Sequence, residues 1–215
     1  MVGYEPQHRQ LIFHTCPADE VLYGGAAGGG KSEALINEGI QTCMAWPGAR
    51  VPLFRRTYKE LEFFVDRSKV LIPKSVATYN EKQMRWSFHN AGPKNPPSIL
   101  TFHHLQHADD VFAHQGEEYD ELLFDEGTHF LPKQINYLRS RNRSSLPDAW
   151  PRLRIASNPG NIGHKHLKDY FVDPVEREAA LVAFYDFDTN EWTLYPEGTR
   201  GKPAPFIVWR PDPTE

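Results

Sequence analysis

The sequence predicts an α/β fold in which a phosphate-binding loop and a pair of acids meet at the rim of one sheet. Three observations predict it. Gly25-Ala26-Ala27-Gly28-Gly29-Gly30-Lys31-Ser32 fits the pattern G-x-x-x-x-G-K-[ST]. A short apolar run at 20–23 precedes it, and a helical pattern at 32–45 follows it. Downstream, Glu121-Leu122-Leu123-Phe124 runs directly into Asp125-Glu126.

The glycine loop needs these residue types in this order. Glycines take φ > 0 and let the backbone approach a ligand without a Cβ clash. The loop N–H groups then form an anion nest with a helix N-terminus behind it. Lys31 is placed to reach the β- and γ-phosphates, and the Ser32 hydroxyl to ligate Mg²⁺, which prefers hard oxygens. Gly25, Gly28, Gly29 and Gly30 supply the cradle. A flexible Gly/Ala linker is the alternative, but linkers do not end in Lys-Ser at the head of an amphipathic helix.

The totals bound the rest. A chain of 215 residues is long enough to bury a proper core as one domain with a small appendage. A net charge of −4 gives no broad basic footprint for nucleic acid, so any DNA contact is local or lies in further chain. No apolar run reaches the length of a membrane span. The N-terminus lacks the basic and apolar regions of a secretory signal. The two cysteines, Cys16 and Cys43, read as free thiols in a reducing compartment.

In chain order, residues 5–14 predict a short helix in which Gln7 or Gln10 either offers an amide to an adenine edge or lies on a solvated face. Apolar Ala34, Leu35, Ile36, Ile40 and Met44 set the face of the helix after the loop. Residues 51–55 predict a strand ending in Arg55-Arg56, read equally as phosphate contacts or surface ion pairs. Thr57 is expected to cap a helix whose apolar residues are Leu61, Phe64, Val65, Leu71 and Ile72. Residues 84–88 and 98–102, joined by turn formers at 90–97, predict a β-hairpin, read as an inserted ribbon. His103, His104, His107 and His114 have loose spacing and no completing ligand, which argues against a metal centre.

The run at 121–126 has the Walker B form. There Asp125 would hold Mg²⁺, mostly through water, and Glu126 would orient and polarise an attacking water. A glutamate beside the aspartate implies hydrolysis and argues against a passive nucleotide switch. Residues 132–143 predict a helix with Arg139, Arg141 and Arg143 at its far end. These arginines fit a finger for a transferring phosphate in the same or a neighbouring subunit, a DNA-phosphate contact, or cations at a helix C-terminus. Residues 152–157 alternate like a strand and break at Asn158-Pro159-Gly160, and residues 164–171 look helical. Beyond Pro174 the texture changes to short strands at 181–187 and 192–195 around a turn at 188–190. The last residues, 209–215, have a linker composition.

Taken in order, Gly25 to Ser32, Phe54-Arg55-Arg56-Thr57, Leu123-Phe124-Asp125-Glu126-Gly127-Thr128-His129-Phe130, Ser140-Arg141-Asn142-Arg143 and Ser157-Asn158-Pro159-Gly160 resemble the ATPase domain of tailed-bacteriophage large terminase subunits. The resemblance spans roughly residues 5 to 172. It implies a RecA-like P-loop fold of the ASCE type, with a predominantly parallel β-sheet covered by helices on both faces. To this the sequence adds the inserted hairpin and a small C-terminal β appendage. The expected division is 1–175 as the ATPase domain and 176–215 as appendage and linker, toward an RNase H-like nuclease domain beyond Glu215.

The resemblance implies ATP and Mg²⁺ as cofactors, bound by Lys31, Ser32 and Asp125, with Glu126 catalytic. It makes Ser157 and Asn158 a coupling motif and Gln10 the adenine-side glutamine. Arg141, backed by Arg143 and Arg139, is the expected arginine acting on the γ-phosphate. The implied partners are double-stranded DNA, a portal protein, a small terminase subunit and copies of the chain in a ring on the portal, with a monomer in isolation. The expected setting is the host cytoplasm, without membrane or secretion. The alternative is another nucleic-acid-dependent ATPase of the same fold, a helicase or remodeller.

Overall fold

A computed structural model describes residues 3–25, 28–92, 96–146 and 149–173, and the backbone of strands at 182–186, 191–195 and 205–208. The chain begins with helix α1 (His8–Thr15), strand β1 (Glu20–Tyr23), helix α2 (Lys31–Ala45) and strand β2 (Arg50–Arg55). It continues through α3 (Glu62–Leu71), β3 (Ala77–Asn80), β4 (Arg85–Phe88) and β5 (Ile99–His104). Then follow β6 (Glu121–Asp125), α4 (Pro132–Arg139), β7 (Arg152–Ala156) and a short α5 (His164–Leu167) that passes into a π-helical turn. The last strands are β8 (Val182–Asp186), β9 (Glu191–Tyr195) and β10 (Pro205–Val208).

The main sheet has the order β10-β1-β7-β6-β2-β5-β4-β3, and β8 and β9 form a separate antiparallel pair. From β10 to β5 every neighbouring pair is parallel. Strands β4 and β3 then extend that edge antiparallel. Parallel strands need both faces covered, so β1 and β6 are buried at every position. Alternation sorts their side chains into two cores. Leu53, Leu123 and Tyr23 pack with α2 residues Leu35, Ile36 and Ile40 on one face. Leu22, Phe54, Phe124 and Ile155 pack with Ile135 and Leu138 of α4 and Leu167 of α5 on the other. Phe54 and Phe124 stack across neighbouring strands at 5.0 Å between centroids, and each such buried ring contributes about 1.5–3 kcal/mol.

Helix α2 lies close against the sheet at Gly39. A Cβ there would sit 2.7 Å from Leu123 Cδ1 and 3.2 Å from Leu100 Cδ1. At the N-terminal ends of the strands, the polar positions of β7 face a buried ionic network. Arg152 pairs with Glu38 at 3.2 Å and Glu121 at 3.0 Å. Arg154 donates to the carbonyls of Ala18 and Cys16 at 2.8 and 3.3 Å.

The structure corrects several expectations. The predicted hairpin pairs as expected, but its second strand β5 lies beside β2 in the parallel core, so it is no separate ribbon. Its turn at 93–95 lies outside the described residues. Strand β3 was not predicted; Ala77-Thr78-Tyr79-Asn80 has little apolar content and takes its pairing from β4. Thr57 does not cap α3, which starts at Glu62 after a 3₁₀ turn over 59–61. Helix α4 stops at Arg139, four residues short of the expected end. Within 176–215, β8 and β9 pair as expected, while β10 returns to the main sheet beside β1. The turn at 188–190 and the tail at 209–215 lie outside the described residues. Among the described residues no helix is long and apolar enough to cross a membrane.

Candidate functional site

Strands β1, β6 and β7 run parallel, so their C-terminal ends share one rim. The glycine loop leaves β1, the acid pair ends β6, and Ser157-Asn158 follow β7. One rim therefore receives three segments that are far apart in sequence. The loop enters α2 through Gly30, whose φ of 65° is left-handed. A side chain at Gly30 would also collide with Gln10, because a Cβ there lies 2.5 Å from Gln10 Nε2. Ala26 and Ala27 lie outside the described residues.

Lys31 is 8% exposed and its Nζ donates to the Gly25 carbonyl at 3.3 Å, folding the ammonium over the loop. Burial lowers the Lys31 pKa, with Glu126 and Asp125 pulling it back up. Ser32 Oγ donates to Asp125 Oδ1 at 2.9 Å, joining the loop to β6. Asp125 is buried, and burial pushes its carboxyl up to about 6 against the opposing pull of Arg55 and Ser32. Arg55, at the end of β2, meets Asp125 Oδ2 at 2.5 Å and Glu60 Oε1 at 3.5 Å. Glu60 in turn accepts from the Thr57 N–H and hydroxyl, each at 2.8 Å.

Glu126 departs from the strand at φ 52°, ψ 54°. A non-glycine residue in the left-handed region is uncommon and costs about 1–2 kcal/mol. Here the turn carries the Glu126 carboxylate to Asn158, whose Nδ2 donates to Oε1 at 3.1 Å. Ser157 Oγ accepts from the Thr128 N–H at 3.0 Å and donates to Thr128 Oγ1 at 3.1 Å. The Thr128 hydroxyl donates to the Asn158 carbonyl at 3.1 Å. The strand end after β7 is thus bonded to the turn after β6.

Gln10 is buried beside the loop, where its Nε2 donates to the Gly30 carbonyl at 2.9 Å and its Oε1 accepts from the Gln7 N–H at 2.8 Å. Both ends of the amide bind backbone, so Gln10 fastens α1 to the loop. Tyr23 reinforces this by donating to the Gly29 carbonyl at 3.2 Å.

The three arginines lie elsewhere. Arg139 pairs with Glu20, at the start of β1, at 2.9 Å, and its guanidinium lies 4.5 Å from the Tyr170 ring centre. The Arg141 carbonyl accepts from the Tyr119 N–H at 2.9 Å, and its guanidinium lies 5.1 Å from the Tyr137 ring centre. Arg143, largely exposed, pairs with Glu118 at 3.4 Å. All three sit at the N-terminal ends of the strands. Tyr119 precedes Asp125 by six residues, about 20 Å at roughly 3.3 Å per residue. Among the described residues, no arginine of this trio meets the loop within one chain.

Of the four histidines, His103 and His114 pack together, while His104 and His107 are exposed. His103 and His114 meet edge to face at 4.8 Å, and His114 Nδ1 pairs with the Tyr119 hydroxyl at 2.7 Å. Burial holds His103 neutral, its pKa down at about 3.

The donor set fits a magnesium nucleotide. Ser32 and Asp125 bring hard oxygens together, Lys31 provides a confined cation, and Gly30 leads into α2 in the left-handed conformation that glycine adopts freely. Two contacts of the site are not legible in the sequence. Thr128 carried no signal beyond its place after the acid pair. Arg55, expected as a phosphate contact or a surface ion pair, forms a largely buried ion pair with Asp125, which depends on β2 lying next to β6.

No protein-family model matches the sequence, and comparison with curated proteins gives no match. Solved structures do match. The large terminase ATPase domain of Thermus phage P74-26 aligns with a TM-score of 0.55 at 21% identity, over 77% of this chain and 70% of that one. The large terminase of another thermophilic bacteriophage aligns with a TM-score of 0.63 at 14% identity, over 81% of this chain. This chain spans 44% of that protein. The same terminase in complex with ADP aligns with a TM-score of 0.62 at 14% identity, over 80% of this chain and 43% of that one. The fold is therefore the RecA-like ATPase fold of terminase ATPase domains.

Proposed function

We propose that this chain is the ATP-hydrolysing motor domain of a viral large terminase, which moves double-stranded DNA into a procapsid. The observation that carries the reading is the meeting of Lys31-Ser32 with Asp125-Glu126 through the Ser32–Asp125 hydrogen bond. The terminase-like fold around that bond supports it.

In this reading the loop N–H groups and Lys31 hold the β- and γ-phosphate oxygens of ATP. Ser32 and Asp125 hold Mg²⁺, which when bound neutralises charge developing on those oxygens. Glu126 orients water in line with the γ-phosphate and takes up its proton. Asn158 fixes the Glu126 carboxylate, so a change at the phosphate reaches the segment after β7. Gln10 positions the loop, and adenine recognition by its amide would require it to leave Gly30. The γ-phosphate arginine comes from a neighbouring copy, with Arg141 the leading choice and Arg143 and Arg139 behind it. The proposed partners are double-stranded DNA, a portal protein, a small terminase subunit and further copies in a ring, assembling in the host cytoplasm. Nuclease activity belongs to a separate domain.

The test is steady-state ATP turnover together with binding of a fluorescent ADP. Glu126→Gln is expected to lower turnover by roughly a hundredfold or more and to leave ADP affinity within about twofold. Lys31→Ala is expected to lose nucleotide binding. Turnover at the parent rate in Glu126→Gln would remove the assigned role.

A further inference from the structure

We propose that Arg55 is a resident counter-cation of the acid pair. Its guanidinium holds the Asp125 carboxylate in place before a divalent ion arrives, and passes to Glu60 when the ion takes Asp125. The inference rests on the nucleotide-site reading above and deepens it.

Four observations carry it. The Arg55 side chain is 16% exposed and contacts the buried Asp125 at 2.5 Å. Asp125 uses its other oxygen for Ser32, so the two proposed Mg²⁺ ligands are already aligned while Arg55 occupies the outer oxygen. A second carboxylate, Glu60, lies 3.5 Å from the other guanidinium nitrogen and is held by both Thr57 donors. The guanidinium therefore has a prepared alternative partner. Finally, Arg55 Nε is buried and meets no acceptor among the described residues, so the present pose leaves donor capacity unused.

The arrangement has an energetic reason. A buried carboxylate without a partner is costly, and two adjacent acids repel an incoming polyphosphate. An intrinsic cation lowers both costs but competes with Mg²⁺ for the same oxygen. Apparent metal affinity then scales with the fraction of molecules in which Arg55 has left Asp125. Arg55 is thus a positioning residue. Its departure also has a route outward, because the next residue, Arg56, donates to the Leu105 carbonyl at 3.1 Å and to Gln134 Oε1 at 3.3 Å. Gln134 is buried in α4 and ties that helix to the Leu105 and His107 carbonyls.

The experiment titrates MgCl₂ against a fixed concentration of fluorescent ADP and reads the Mg²⁺ concentration at half-maximal binding. Arg55→Ala is expected to lower that midpoint by roughly three- to tenfold, because the competing cation is gone. Glu60→Gln is expected to raise it by a similar factor, because Arg55 loses its second partner. A purely structural role does not produce opposite signs. A raised midpoint in Arg55→Ala would make Arg55 a direct phosphate ligand and overturn the proposal, as would an unchanged midpoint in Glu60→Gln. If Arg55→Ala loses its far-ultraviolet circular dichroism, Glu60→Gln decides alone. Failure of the underlying reading looks different, since the parent protein would then show no Mg²⁺-dependent ADP binding that Lys31→Ala abolishes; that result removes the inference with its premise.

Discussion

Glu126 shows how a single residue couples backbone strain to side-chain placement. Its left-handed backbone turns the carboxylate away from the strand line and toward Asn158. Strained residues of this kind are held by their surroundings, here by the Thr128–Ser157 bonds and the buried end of β6. Glycine accepts this φ freely, whereas alanine does not. Glu126→Gly is therefore expected to be more stable than Glu126→Ala by about 1 kcal/mol in urea unfolding, the reverse of an ordinary strand or helix position. An alanine variant as stable as the glycine one would show that the turn carries no strain. Asn158→Ala leaves Glu126 without its donor. It is expected to lower ATP turnover by roughly tenfold to a hundredfold while ADP affinity stays within about twofold. Parallel loss of affinity would instead place Asn158 in nucleotide binding. The motif residues at this scale were legible because their chemistry is tied to residue type and spacing. The Arg55–Asp125 pair was not, since no local pattern states which strands are neighbours.

Elements show the same division. Helix α2 was legible from its apolar face, and β6 from its apolar run, because each reports burial directly. Strand β7 was legible as a strand, but its arginines carry a buried network that no alternation pattern reveals. Glu38 faces Arg152 and Arg154 with a side chain 3% exposed, so removing it leaves Arg152 with Glu121 as its remaining carboxylate partner and Arg154 with backbone carbonyls alone. Glu38→Ala is expected to cost about 3–5 kcal/mol in urea unfolding, the range for breaking a buried pair from one side. A loss under about 1 kcal/mol would mean that water relaxes into the site. Helix α2 offers a second measurement. Gly39 in mid-helix looks like a position where a larger residue would raise helix propensity, yet a Cβ there meets Leu123 at 2.7 Å. Gly39→Val is expected to destabilise by about 1–3 kcal/mol through overpacking, and to weaken nucleotide binding because α2 carries Lys31 and Ser32. Strand β3 stayed hidden because its pairing with β4 supplies what its composition does not.

The whole molecule separates two chemistries to opposite rims. The loop, the acid pair and Ser157-Asn158 sit at the C-terminal ends of the parallel strands, while Arg139, Arg141 and Arg143 sit at the N-terminal ends. Within one chain, β6 stands between them. This long-range placement was invisible in sequence, where the arginine cluster and the acid pair are separated by a single helix. It also makes the proposed ring testable. Arg141→Ala and Lys31→Ala are each expected to be inactive alone, and mixing them is expected to restore part of the turnover, since a mixed ring can pair an intact site with an intact neighbouring arginine. No recovery over a range of mixing ratios would argue for action within one chain or for a different arginine.

The most direct measurement is calorimetric titration of ADP with Mg²⁺ into the parent protein, Lys31→Ala and Asp125→Ala. One shared site at the joined loop and acid pair predicts that the parent binds, that Lys31→Ala does not, and that Asp125→Ala loses only the Mg²⁺-dependent part of the affinity. Undiminished binding by Lys31→Ala, or an Mg²⁺ dependence unchanged in Asp125→Ala, would contradict it.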